Sequence, residues 1–183
     1  MRCLGILIVA ILMLPGCETI SIHQYSPSQA NTVAIRNAML MGNISSLAVG
    51  EFTASYPGSF EARCGINNLI RMPRNTTPEK YIRDALINEI KNADAYSLDQ
   101  IEAGRVITGN LDRFLLDNDS GSWIIKVTIS LNTGDVFTVS ETYEHDEMSC
   151  ERAAATLAPA VQELIHKIVS HPAFLRKMES DPG

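Results

Sequence analysis

Two sets of side chains in this sequence have the types and spacing to do chemistry. The first is Glu144-His145-Asp146-Glu147, three carboxylates and an imidazole in succession. Oxygen and imidazole donors of this kind hold divalent cations, and two carboxylates held several ångströms apart serve glycoside hydrolases. Contiguous residues seldom converge on one ion, and no further ligands at helical spacing accompany these. A solvated acidic loop ahead of a helix is the plainer alternative, because the helix dipole favours negative charge there. The second set is the four cysteines, Cys3, Cys17, Cys64 and Cys150. No nucleophile elbow, zincin motif, phosphate loop or dinucleotide-binding glycine pattern is present, and the histidines are scattered. No metal, cofactor or catalytic residue is therefore expected.

The N-terminus decides what the cysteines do. Arg2, the apolar run Leu4 to Leu14 and the approach Pro15-Gly16 to Cys17 make the three parts of an export signal. The run falls short of the about 20 apolar residues that a transmembrane helix needs. Leu14, Gly16 and Cys17 resemble the processing site of bacterial lipoprotein signal peptides, with Pro15 departing from the usual Ala, Ser, Thr or Val. The resemblance implies removal of residues 1–16 and acylation of Cys17. It also implies sorting: Glu18 is not the Asp typical of inner-membrane retention, so the expected address is the inner leaflet of the outer membrane, facing the periplasm. An ordinary secretory signal and an uncleaved anchor are the alternatives. After processing, Cys3 is gone and Cys17 carries lipid. Cys64 and Cys150 remain, and in an oxidising compartment such a pair forms a disulfide. A metal or redox pair is the competing possibility, but neither a C-x-x-C spacing nor a histidine cluster supports it.

Removing Arg2 with the signal leaves 14 basic residues against 21 acidic ones. That balance argues against nucleic acid or a polybasic membrane contact. The remaining length suffices for one domain with a real core.

The elements that must carry these residues follow from hydrophobic periodicity. Residues 17–45 are expected to be a lipidated N-terminus and tether, polar around Pro27. Within it, Val33, Leu40 and Met41 are spaced for one face of a short helix, although the stretch could equally approach a strand. A single globular domain is expected over 46–178, with a polar tail at 179–183. Ser46 to Tyr56 reads as a strand closed by Pro57-Gly58. Thr77-Pro78-Glu79 opens a helix whose buried face is Ile82, Leu86, Ile90 and Ala93. Three strands follow: Arg105 to Leu116, Trp123 to Leu131 and Val136 to Tyr143, the last two joined by a turn at Asn132-Thr133-Gly134-Asp135. Trp123, Ile125, Val127, Ile129 and Leu131 alternate onto a core face, and Thr128, Ser130, Thr138 and Ser140 onto a polar one. That polar face is plain solvated sheet or a surface to which a partner adds a strand. Ser149 caps a last helix with the stripe Ala154, Leu157, Val161, Leu164, Ile165 and Ile168, which Pro159 should kink or divide. The expected fold class is α+β, a two-layer sandwich: an antiparallel sheet of about four strands with two helices on one face.

The order of elements, with Gly109–Phe114 (GNLDRF) and Ala160–Ile165 (AVQELI), loosely resembles small uncharacterised YajG-like envelope lipoproteins. That resemblance implies an envelope lipoprotein and transfers no functional residue. The function expected is a non-catalytic binding or accessory component, anchored to the membrane through Cys17 and working beside an envelope protein partner. The alternatives are an envelope hydrolase using the carboxylates of Glu144, Asp146 and Glu147, and an auxiliary lipid-binding subunit of a transport system.

Overall fold

The structure, a computed structural model, describes residues 19–55, 60–64, 68–73, 76–100, 103–117, 119–144 and 149–176. The strongest alternation in the chain builds its central layer. β5 (Arg105–Asp117), β6 (Ser122–Leu131) and β7 (Val136–Glu144) form an antiparallel meander, turned at one end by Gly134 with φ of 87°. Trp123, Ile125, Val127, Ile129 and Leu131 are all buried on one face, as their alternation predicts. β2 (Leu47–Ala54) completes the sheet beside β5, giving the order β2-β5-β6-β7.

This last pairing corrects one expectation: β2 runs parallel to β5, so the sheet is mixed. The reason lies in the connection. A parallel pair needs a crossover of a dozen or more residues, and the chain between these strands contains α2 (Pro78–Asn92). Both α2 and α3 (Cys150–Val169) lie on the apolar face of the sheet, giving the two-layer α+β arrangement. All four predicted α2 core residues and all six of α3 are buried. Pro159 does not divide α3, which runs from Cys150 to Val169 with the proline inside it. The Ser149 hydroxyl caps that helix by accepting from the Arg152 amide. Thr77 stands at the N-cap of α2, but its hydroxyl donates to the Glu79 carboxylate instead of accepting from the helix backbone.

Outside this sandwich lie further elements, among them the short strand that Asn68 to Arg71 suggests ahead of Pro73. β1 (Thr19–Ser21), β4 (Asn68–Arg71) and β3 (Glu61–Cys64) make a second small sheet of order β1-β4-β3, with β1 parallel to β4. α1 (Gln29–Gly42) packs chiefly on α2, α3 and α4 (Pro172–Leu175). Residues 19–45 are thus part of the body, not a tether. Ile22, Ile35, Ala38 and Ile44 all contribute to the core. The domain expected from residue 46 therefore takes in residues 19–45 as well.

Cys64, ending β3, and Cys150, opening α3, are joined by a disulfide with Cα atoms 5.5 Å apart, inside the range such bridges occupy. The bridge closes a loop of 86 residues in sequence separation. In the chain-entropy account, a loop of that size stabilises by roughly 4–5 kcal/mol, less native strain. Replacing both cysteines by serine should cost about 2–5 kcal/mol, read as a lower denaturant midpoint with a steeper slope, because the unbridged unfolded chain exposes more surface. Mass spectrometry of the non-reduced protein should recover the Cys64–Cys150 peptide pair, and two free thiols would disprove the bridge.

Candidate functional site

The N-terminal segment is held by one buried carboxylate. Glu89 projects from α2 and is fully buried, which is costly for a charge without partners. Its Oε1 accepts from the Tyr25 hydroxyl, from the Ser28 amide at 2.9 Å and from Asn31 Nδ2 at 3.1 Å. Asn31 Nδ2 also donates to the Gln162 carbonyl, and Gln162 Nε2 donates to Ser26 O, both at 2.9 Å. The segment that begins α1 is therefore locked to α2 and α3 together. Burial and the Glu89 carboxylate push the Tyr25 phenol well above its ordinary range. Burial also pushes Tyr81, whose hydroxyl donates to the His23 carbonyl, up to about 12.

This network sets the rotation of α1. Asn31, Thr32, Ile35 and Ala38 face inward, and Asn92 Nδ2 donates to the Thr32 hydroxyl at 2.6 Å. The residues i, i+4, i+7 and i+8 from Val33 then face outward. Val33 is 50% exposed, Leu40 80% and Met41 53%, with Asn37 between them. The predicted spacing of Val33, Leu40 and Met41 on one face holds, but that face is the outer one. Exposed apolar side chains at helical spacing make this face a candidate interaction surface. Open grooves flank this ridge. One, of about 610 Å³, lies between Met39, Leu40 and Ile44 and the end of α2. The other, of about 300 Å³, lies between Val33, Met41 and the end of α3 at His166 and Val169. At the first, Arg36 donates to the Ala93 carbonyl and pairs with Asp94 at 3.0 Å.

The opposite side of the molecule is the polar face of the sheet. A continuous hydrogen-bond ladder crosses all four strands there. Thr53 donates to Asn110 Oδ1 at 3.0 Å, and Asn110 Nδ2 donates to Asp112 Oδ1 at 2.7 Å. The Thr128 hydroxyl donates to Asp112 Oδ2 at 2.7 Å and lies 2.9 Å from the Thr138 hydroxyl, which must then be the donor to it. Thr128 and Thr138 are two of the predicted outward residues; Asn110 and Asp112 extend the face. At the edge strand β7, Lys167 Nζ donates to the Ser140 carbonyl at 3.1 Å and pairs with Glu141 at 2.7 Å. A lysine on an edge carbonyl is a common guard against strand addition.

Residues 145–148 lie outside the described residues, and Glu144 is exposed at the end of β7. Cys17 also lies outside them. His166 is exposed, and His171 stacks on Phe137 with centroids 4.1 Å apart. Among the described residues, no group of three or more His, Cys, Asp or Glu side chains is placed to hold a metal ion. Trp123 is core, its indole N–H donating to Ala153 O at 2.8 Å. Arg105, fully buried, donates to the carbonyls of Phe174 and Arg176 and secures α4.

No protein-family model and no curated protein matches the chain. Its fold is similar to that of the crystal structure of protein XCC0632 from Xanthomonas campestris, of family DUF330. The TM-score is 0.55 at 11% identity, covering 82% of this chain and 92% of that one. A second crystal structure, of an uncharacterized protein, aligns at TM-score 0.48 and 11% identity over 83% of this chain and 97% of that one. The first likeness is one of fold and brings no activity with it.

The Glu89 cluster has a measurable signature. Replacing Tyr25 by Phe leaves the buried carboxylate short of a donor and should cost about 1–3 kcal/mol in denaturant unfolding. Phenols in the unfolded chain ionise near pH 10. The stability that Tyr25 and Tyr81 contribute by staying protonated is intact below that pH and declines as pH rises above it, for Tyr81 through about 12 and for Tyr25 further up. Tyr25→Phe should make the alkaline loss shallower; an unchanged slope would exclude Tyr25 from it.

Proposed function

We propose that the chain is a lipid-anchored component of the bacterial cell envelope that works by binding. Acyl chains on Cys17 hold it in the inner leaflet of the outer membrane, and its folded domain faces the periplasm as an accessory to an envelope assembly. The observation that carries the binding role is the ridge of α1, where Val33, Leu40 and Met41 stand exposed between two grooves. The anchor is supported by Leu14-Pro15-Gly16-Cys17. The Cys64–Cys150 bridge suits an oxidising compartment, and the loose YajG-like pattern of elements points the same way.

Two measurements test this. Cells fed an alkyne palmitate analogue should label the wild-type protein and leave it in the membrane fraction, whereas Cys17→Ser should lose both label and membrane association. Retention of the label by Cys17→Ser would refute acylation there. A photocrosslinking residue at position 33 or 40 should yield an envelope adduct, protein or lipid. Failure to form any adduct at either position would rule out the ridge as a working surface.

A further inference from the structure

The ridge on α1 has a specific occupant. Resting on the anchored reading above, we infer that it seats on the membrane surface itself, as a second contact beside the lipid on Cys17. The first ground is reach. β1 begins at Thr19, so one residue, Glu18, separates its first position from Cys17, a span of at most about 7 Å. With residues 19–45 folded into the body, no slack lets the domain move away from the bilayer that holds its lipid.

The second ground is side. From β1 the chain tracks α2 from end to end. His23 O accepts from Tyr81 in the first turns, Tyr25 and Ser28 meet Glu89, and Arg36 reaches Ala93 and Asp94 past the C-terminus. α2 has 15 residues, about 22 Å of helix. The anchor and the ridge therefore lie towards opposite ends of one side, the helix side, with α1 outermost. A domain leashed at one end of that side lays its other end on the same plane.

The third ground is chemistry. The outward positions of α1 at 29, 30, 33, 36, 37, 40 and 41 are Gln, Ala, Val, Arg, Asn, Leu and Met, with the one charge a cation at Arg36 and no acid among them, on a mature chain with an excess of acids. Asp94, at the groove beside them, is paired with Arg36. A helix face that is apolar and free of carboxylates suits the boundary between headgroups and acyl chains, and the grooves on either side give lipid chains somewhere to lie. In this pose the ladder of Thr53, Asn110, Asp112, Thr128 and Thr138 faces away from the bilayer, open to the periplasm.

The test uses the acylated mature protein in vesicles of phosphatidylethanolamine and phosphatidylglycerol, carrying an environment-sensitive fluorescent residue at position 40 or, as control, at 138. The label at 40 should be quenched by brominated lipids and shielded from aqueous iodide, and the label at 138 should show the reverse. A label at 40 as open to iodide as that at 138 overturns the inference. So does shielding at 40 that persists without vesicles, which would mean a second copy covers the ridge. Leu40→Asp with Met41→Asp, read with the label at 33, should lose the lipid quenching while the protein still floats with the vesicles. Flotation reports the anchor separately. If cells do not acylate Cys17, coupling that cysteine to a maleimide phospholipid allows the same quenching measurement, so the two ideas fail independently.

Discussion

The buried carboxylate of Glu89 is the interaction on which the N-terminal third of the molecule depends. A charge placed among Ile82, Ile90 and the core is tolerable only with donors around it, and the donors come from Tyr25, Ser28 and Asn31. None of these belongs to the sandwich formed by the sheet with α2 and α3. The sandwich thus carries a polar demand that the preceding segment meets at Oε1. Meeting it fixes where that segment runs, which way α1 is rotated and which of its residues reach solvent. Arg105 plays the same part at the other end of the chain, where its guanidinium takes up the carbonyls of Phe174 and Arg176 and fastens α4. Burial pulls its pKa down, with Asp135 partly opposing.

These two clasps explain what could be read from residues alone and what could not. The meander was legible because Trp123 to Leu131 alternates with period two and a glycine turn follows it. α2 was legible because Thr77 and Pro78 mark its start and Ile82, Leu86 and Ile90 repeat at helical spacing. The parallel partner of β5 was not legible, since an eight-residue strand has the same composition whichever way it runs. α1 was misplaced for a sharper reason. Its most apolar spaced positions, Val33, Leu40 and Met41, face outward, and the polar Asn31 and Thr32 face inward. Pattern rules assume that apolar means inside, and here a buried hydrogen-bond network overrules them. Glu89 stands in an amphipathic run of the sequence. Nothing local distinguishes it, because its partners are about sixty residues away in sequence.

The two broad surfaces of the molecule differ in kind. On one, α1 offers carbon. On the other, hydroxyls, an amide and a carboxylate satisfy one another across four strands, with a lysine closing the edge. A face whose polar groups are already paired holds its shape without a partner and presents a fixed pattern of donors and acceptors. The similarity to the XCC0632 fold extends over most of both chains, so this division into a helical side and a sheet side belongs to the shared architecture.

The disulfide also divides the chain mechanically. Everything between Cys64 and Cys150 lies within one covalent loop, which includes α2 and the three strands of the meander. Residues 19–63 lie outside that loop and are held to it by strand pairing and by the Glu89 cluster. Along this segment, β1 pairs with β4, and Tyr25, Ser28 and Asn31 then meet Glu89. Beyond the peptide bond into Cys64, the N-terminal segment is therefore joined to the looped part of the chain by non-covalent contacts alone, β1 on β4 and the Glu89 cluster among them.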